Sequence, residues 1–136
     1  MPCQVAWCRP ASSLHSQRSA TSPSNALHPD VTIRLNAQGL GSGAFAPNPI
    51  TISLATKQTV RWGNADYTGG SYGGSGVDHT VTSDSGLFGS GQIAPRSSFS
   101  FTFTAPGTYN YHCSNHPTMV GTVIVTNCWR FTAPSF

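Results

Sequence analysis

The chain has 136 residues and a formal net charge of +3, and this length suits one domain. Only 8% of the residues are charged, against roughly 25% in an average globular domain, and there is no basic patch and no apolar run of about 18 residues. Nucleic-acid binding and a membrane-spanning segment are therefore not predicted. The 14 glycines and 10 prolines disfavour helices and favour short strands joined by tight turns.

Residues 1–29 differ in composition from the rest of the chain. They are rich in Ser and Pro, carry no acidic residue, and show no apolar periodicity. This composition predicts a disordered tail or a leader remnant, because it offers no face that could join a core. Cys3 and Cys8 lie in this segment and are interpreted as incidental thiols rather than as a metal site.

Residues 30–126 show a different pattern and are predicted to form the one folded domain, followed by a C-terminal extension over residues 127–136. Apolar and polar residues alternate in several short segments, a period of two that is typical of half-buried strands. Clusters of Gly, Pro and Asn separate these segments. The pattern predicts an all-β sandwich or barrel. The alternating segments are 31–35, 50–54, 60–62, 99–103, 109–113 and 123–125.

A glycine-rich loop covers residues 67–76 and leads into Val77 and Asp78. Its composition is that of a flexible linker. The glycines are interpreted as a tolerated surface insertion, while a lid or docking role for Tyr67 and Tyr72 is left open.

One thiolate, one imidazole and one thioether fall within seven residues, just after a predicted strand. These are Cys113, His116 and Met119, spaced three residues apart, and a second imidazole, His79, lies 34 residues before the cysteine. Two His, one Cys and a distant Met are the ligand set of a blue-copper site. A soft thiolate and two imidazoles suit both copper oxidation states, and a weak axial thioether favours Cu(I). The sequence therefore predicts one type 1 copper site. Zinc is the chief alternative metal, although structural zinc sites more often use paired Cys or paired His motifs without Met.

The residues around these ligands resemble the plastocyanin/azurin-like cupredoxins. The resemblance is carried by Tyr109-x-Tyr-His-Cys-Ser-Asn-His-Pro-Thr-Met-Val-Gly-Thr-Val-Ile-Val125, in which the short Cys-x-x-His-x-x-Met loop is amicyanin-like. Val60-Arg-Trp-Gly-Asn64 and Asp78-His-Thr-Val-Thr-Ser83 are similar to the first-ligand region of the family.

This resemblance implies a Greek-key β-sandwich of about eight strands holding one type 1 copper ion. It carries over His79, Cys113, His116 and Met119 as the ligands, and Tyr109 as a tyrosine corner. It also implies a monomer that passes single electrons between protein redox partners. The expected location is the periplasm, the extracellular space or an organelle lumen. Asn115 departs from the family, because an apolar residue or Pro is expected at that loop position.

Several further residues near the ligands receive a prediction. His112 is expected to point away from the face of Cys113 and to be exposed, rather than to bind a second copper. Asp78 and Asn64 are candidates either for ordering the ligand loops by hydrogen bonds or for simple turn chemistry. Cys128 could pair with Cys3 or Cys8, but nothing in the sequence fixes a pairing.

His116 is predicted to be the ligand at the solvent edge, with Pro117 and Met119 forming a small apolar docking face around it. Two other functions fit the sequence less well than electron transfer. A copper carrier or storage protein would need easy ligand exchange, which a folded Cys/His/His/Met site disfavours. An enzyme would need a second metal or a substrate pocket, and the sequence offers no further ligand cluster.

Overall fold

The structure, a computed structural model, describes residues 28–69 and 74–127. This part of the chain contains ten strands and two 3-10 turns, Ala37–Gly39 and Gly41–Gly43, both between the first two strands. In chain order the strands are β1 Val31–Ile33, β2 Phe45–Ala46, β3 Ile50–Ser53, β4 Thr59–Asn64, β5 Tyr67–Thr68, β6 Ser75–Gly76, β7 Thr82–Ser83, β8 Ser98–Thr102, β9 Gly107–His112 and β10 Val120–Thr126.

The strands form two four-stranded sheets and one small hairpin. The first sheet has the order β2-β1-β4-β8 and the second has the order β3-β10-β9-β7, while β5 pairs only with β6. β1 runs parallel to β4 and β3 runs parallel to β10; the other pairings are antiparallel. The predicted all-β Greek-key sandwich is confirmed.

The six segments predicted from alternation coincide with β1, β3, β4, β8, β9 and β10. The four strands that the alternation did not reveal have only two residues each, and a period of two cannot be recognised over two residues.

The core is an aromatic cluster enclosed by aliphatic residues of both sheets. Trp62 of β4 is fully buried, with its ring centroid 5.5 Å from that of Tyr111 on β9 and 5.8 Å from those of Phe88 and Phe99. Phe45 of β2 meets Tyr111 edge-on at 4.9 Å. These contacts join the two sheets, and they support the interpretation of Trp62 as a core residue.

The predicted tyrosine corner joins β9, which contains Tyr109, to the loop before it. The Tyr109 hydroxyl donates a hydrogen bond of 2.7 Å to the carbonyl of Ala105. Tyr67, the first residue of the glycine-rich loop, has its ring centre 4.3 Å from the guanidinium of Arg96, a residue outside that loop. Tyr72 lies outside the described residues.

Residues 1–27 of the predicted tail also lie outside the described part of the chain. The same holds for residues 128–136 of the predicted C-terminal extension. The same is true of Cys3, Cys8 and Cys128, so the domain boundaries and the cysteine pairing stay predictions. Among residues 28–69 and 74–127, no helix has the length and hydropathy needed to cross a membrane.

Candidate metal centre

The segment from Cys113 to Met119 connects β9 to β10 as a tight loop with its own backbone hydrogen bonds. The Cys113 amide donates to the Met119 carbonyl at 3.0 Å, which closes the loop at its base. Within the loop, the His116 amide donates to the Cys113 carbonyl at 3.2 Å and the Met119 amide donates to the His116 carbonyl at 2.9 Å. These main-chain hydrogen bonds give the loop a defined backbone shape, from which the Cys113 and His116 side chains project.

His79 reaches the loop from a different part of the sandwich. Its backbone pairs with Ile93, the His79 amide donating at 3.2 Å and its carbonyl accepting at 2.7 Å. The next residue, Thr80, donates its amide to Cys113 Sγ at 3.3 Å and accepts the Ser114 amide on its hydroxyl at 2.7 Å. Thr80 thus connects the His79 segment to the Cys113 loop.

Three donor atoms converge between these segments. Cys113 Sγ lies 3.8 Å from His79 Nδ1 and 3.7 Å from His116 Nδ1, and all three donor atoms lie within 4.8 Å of one another. A metal ion bonded to sulfur at about 2.3 Å and to nitrogen at about 2.05 Å, with an angle of about 120° between the two bonds, holds the sulfur and the nitrogen about 3.8 Å apart. The spacing therefore fits a first-row transition metal, and the mixture of one thiolate with two imidazoles suits copper.

The two imidazoles differ in their exposure to solvent. His79 and Cys113 are completely buried, whereas His116 is only partly buried. The prediction that His116 is the ligand nearer the solvent agrees with this difference. Pro117 is exposed, as the predicted docking face requires.

The assignment of Met119 to the docking face is wrong. Its side chain is fully buried, because Met119 continues the inward phase of β10, in which Gly121, Val123 and Val125 are buried and Val120 is exposed. An inward position is compatible with the predicted ligand role of Met119, which stays a prediction.

A buried carboxylate that the sequence analysis missed stands behind His79. Asp66 Oδ2 lies 2.7 Å from His79 Nε2, the ring nitrogen on the side away from Cys113. Burial by itself would raise the pKa of the Asp66 carboxyl, but hydrogen bonds from His79 and from two backbone amides outweigh it, so the pKa is lower than usual. Asp66 follows the family-like segment ending at Asn64, but no ligand spacing pointed to it.

Of the two residues predicted to order the ligand loops, Asn64 does so through its side chain. The Asn64 side-chain amide donates at 2.8 Å to the carbonyls of Val77, two residues before His79, and of Ile93, which pairs with the His79 backbone. The Asn64 side-chain oxygen accepts the Asp66 amide at 2.9 Å. Asp78 contributes its backbone carbonyl, which accepts a 3.0 Å hydrogen bond from Asn115.

Asn115, the residue that departs from the family pattern, connects the two ligand segments. Its side-chain amide also donates to Gln92 Oε1 at 2.8 Å, and Gln92 donates back to Asn115 Oδ1 at 3.1 Å. A polar residue therefore has a structural reason to occupy this position.

His112 lies outside the cluster of donors, as predicted. Its Nδ1 lies 2.6 Å from Asp84 Oδ1, and both side chains are partly or largely exposed. Within the described residues, the only group of three or more His, Cys, Asp or Glu side chains with converging donor atoms is His79, Cys113 and His116.

Comparison with known proteins agrees with this geometry. The family model described as the cupredoxin-like domain matches residues 11–125. The chain is 30% identical to plastocyanin of Scenedesmus fuscus over 109 residues, which cover 71% of this chain and 99% of plastocyanin. It is 33% identical to amicyanin of Paracoccus denitrificans over 79 residues, which span 54% of this chain and only about half (53%) of amicyanin.

Among solved structures, a purple cupredoxin from Nitrosopumilus maritimus aligns with a TM-score of 0.57 and 30% identity. The alignment covers 71% of this chain and 97% of that protein. The chain therefore belongs to the cupredoxin-like family, and the type 1 copper of that family suits the cluster of His79, Cys113 and His116.

Proposed function

We propose that this protein carries single electrons between redox partners through one type 1 copper ion. His79, Cys113 and His116 would hold the ion as its three strong ligands, and the Met119 thioether would be a weak fourth ligand. The observation that carries the proposal is the convergence of one sulfur and two ring nitrogens at 3.7 and 3.8 Å. When bound, copper supplies the Cu(I)/Cu(II) couple.

The surroundings of the cluster favour electron transfer because they resist rearrangement. Thr80 holds the thiolate from outside the loop, Asp66 holds His79, and backbone hydrogen bonds hold the loop itself. A site that keeps its shape reorganises little when an electron enters or leaves. The same rigidity disfavours a carrier or storage function, which depends on easy ligand exchange.

Access to the cluster also favours an electron carrier that is not an enzyme. His79 and Cys113 are fully buried, so a substrate could approach only near His116. An electron can pass through the partly exposed His116 ring without any substrate binding to the metal. Protein partners would therefore dock around His116 and Pro117. The resemblance to plastocyanin/azurin-like cupredoxins further implies a monomer that works outside the cytoplasm.

Visible absorption and EPR spectra of the Cu(II)-loaded full chain test the ligand set. We expect an intense thiolate-to-copper band and narrow copper hyperfine splitting. Cys113→Ser and His79→Ala should abolish the band, whereas His112→Ala removes a histidine outside the cluster and should leave it unchanged. A pale, tetragonal spectrum in the unmodified protein would refute the type 1 assignment.

The exposed ligand is tested separately with His116→Gly. Added imidazole should enter the space left by the ring and restore the spectrum of the unmodified protein. If imidazole leaves the spectrum of this variant unchanged, His116 is not the ligand at the surface.

Two rates separate an electron carrier from a copper carrier. The electron self-exchange rate should be high, while transfer of Cu(I) to an external chelator should be slow. Fast release of copper together with slow self-exchange would favour the copper-carrier alternative.

A further inference from the structure

Asp66 has three nitrogen partners on its two carboxylate oxygens. The amide of Asn36 donates to Oδ1 at 2.8 Å, and the amide of Ala37 donates to Oδ2 at 3.2 Å. The third contact is the 2.7 Å hydrogen bond between Oδ2 and His79 Nε2. Asp66 is 3% exposed and His79 is fully buried, so water does not compete effectively for these groups.

The backbone of Asp66 is held as firmly as its side chain. Its amide donates to Asn64 Oδ1 at 2.9 Å, and its carbonyl accepts the Val77 amide at 3.1 Å. The carboxylate therefore cannot swing away from His79 without breaking contacts on both sides.

This arrangement determines which nitrogen of His79 can bind a metal. Each Asp66 oxygen already accepts a backbone amide, and we therefore assign the 2.7 Å contact with His79 Nε2 as donation of the ring proton from Nε2. The lone pair is then on Nδ1, the nitrogen that lies 3.8 Å from Cys113 Sγ. The orientation and the tautomer of the ring both follow from Asp66.

We propose that Asp66 is a positioning residue of the metal centre, which fixes the metal-binding tautomer of His79 and shifts the preference of the site toward Cu(II). The second part rests on the proposed copper function. A carboxylate that accepts a hydrogen bond from Nε2–H makes the imidazole a more basic ligand. A more basic ligand favours the copper ion of higher charge.

An asparagine cannot replace Asp66 without loss. Its side chain has one acceptor oxygen and one NH₂ group, whereas the site presents three donors to two oxygens. In Asp66→Asn, the new NH₂ group, which is itself a hydrogen-bond donor, must face either His79 Nε2 or a backbone amide of the turn at residues 36 and 37. Asp84→Asn is the matched control, because it removes the carboxylate beside His112, a histidine outside the donor cluster.

The first experiment is long-range proton–nitrogen NMR on the unmodified full chain without metal. We expect the proton of the neutral His79 ring on Nε2. A proton on Nδ1 would overturn the proposal, and this result does not depend on whether any variant folds or whether the protein binds copper.

The second experiment measures Cu(II) and Cu(I) dissociation constants for the unmodified chain, Asp66→Asn, Asp66→Glu and Asp84→Asn. Asp66→Asn should weaken Cu(II) binding by about 10- to 100-fold. Cu(I) binding should weaken less, so that the ratio of the two constants changes about tenfold and the midpoint potential rises by about 59 mV. Asp66→Glu keeps the charge and should recover part of the change, while Asp84→Asn should show none.

Equal weakening of Cu(II) and Cu(I) binding would overturn the proposed preference for Cu(II), since a purely structural role predicts that result. Failure of the unmodified chain to form a blue site would refute the proposed function instead, and the NMR result would still decide whether Asp66 fixes the tautomer.

Discussion

Gly121 is the position in the second sheet where a single methyl group should do the most damage. It lies on β10 directly opposite Tyr111 on β9, and the Tyr111 ring crosses over it. A Cβ at residue 121 would lie 2.7 Å from Tyr111 Cε2 and still closer to Cζ and the hydroxyl oxygen. Carbon atoms in contact normally stay about 3.5–4.0 Å apart, so the ring would have to move.

The ring has little room to move, because Tyr111 is 1% exposed and packs against Phe45 and Trp62. Overpacking a core costs about 1–3 kcal/mol, and expelling an aromatic side chain costs about 3–5 kcal/mol. Replacing Gly by Ala also stabilises by about 0.4–1 kcal/mol through the unfolded chain, which offsets part of this cost. We expect Gly121→Ala to lower the free energy of unfolding by about 2–4 kcal/mol.

Urea denaturation of the full chain measures this loss. With a slope of about 2 kcal/mol per molar urea, the midpoint should fall by about 1–2 M. Gly89→Ala is the control, because nothing lies within 4 Å of a Cβ placed there. In a Tyr111→Leu background, Gly121→Ala should cost much less. An equal cost in both backgrounds would refute the proposed clash with the ring.

Three further predictions concern neighbouring residues. Tyr111→Phe should change the stability by less than about 1 kcal/mol, because the Tyr111 hydroxyl is buried beside Trp62 and forms no hydrogen bond of normal geometry among the described residues. Burial raises the pKa of Tyr111 to about 12. Because the same side chain ionises near pH 10 in the unfolded chain, the free energy of unfolding is unaffected below pH 10 and falls as the pH rises toward 12. Tyr111→Phe has no hydroxyl to ionise, so above pH 10 its free energy of unfolding should fall less than that of the unmodified protein. Tyr109→Phe removes the 2.7 Å hydrogen bond to Ala105 and should cost about 0.5–1.5 kcal/mol in thermal or urea unfolding; no loss would mean that this hydrogen bond does not stabilise the fold. Asn115→Ala removes one of the connections between the two ligand segments and should speed Cu(I) loss to a chelator, while an unchanged rate would contradict a role for Asn115 in holding them together.

Much of the architecture could be predicted because alternation is a local signal. The six longer strands each contain enough residues for a period of two. Of the three donors that the structure brings together, Cys113 and His116 lie only three residues apart in sequence, whereas His79 lies 34 residues before Cys113. The four two-residue strands carry no such signal, and their pairing depends on the sheets around them.

Asp66 could not be predicted for a related reason. Its partners lie 13, 29 and 30 residues away in sequence, and only the folded sandwich brings them together. The burial of Met119 follows from the same period of two that places Val123 and Val125 on the inner face, continued four residues back along the chain.

Inside the ligand loop, the backbone hydrogen bonds use the amides of residues 113, 116 and 119, and the amide of Ser114 donates to the Thr80 hydroxyl outside the loop. The amide position of residue 117 takes no part in this bracing, which is why a proline fits there without a lost hydrogen bond. Pro117 and Thr118 are exposed on the same short loop. Substitutions at residues 117 and 118 could therefore change the surface beside His116 while the backbone hydrogen bonds inside the loop stay the same. The outer surface and the inner frame of this seven-residue loop can vary separately.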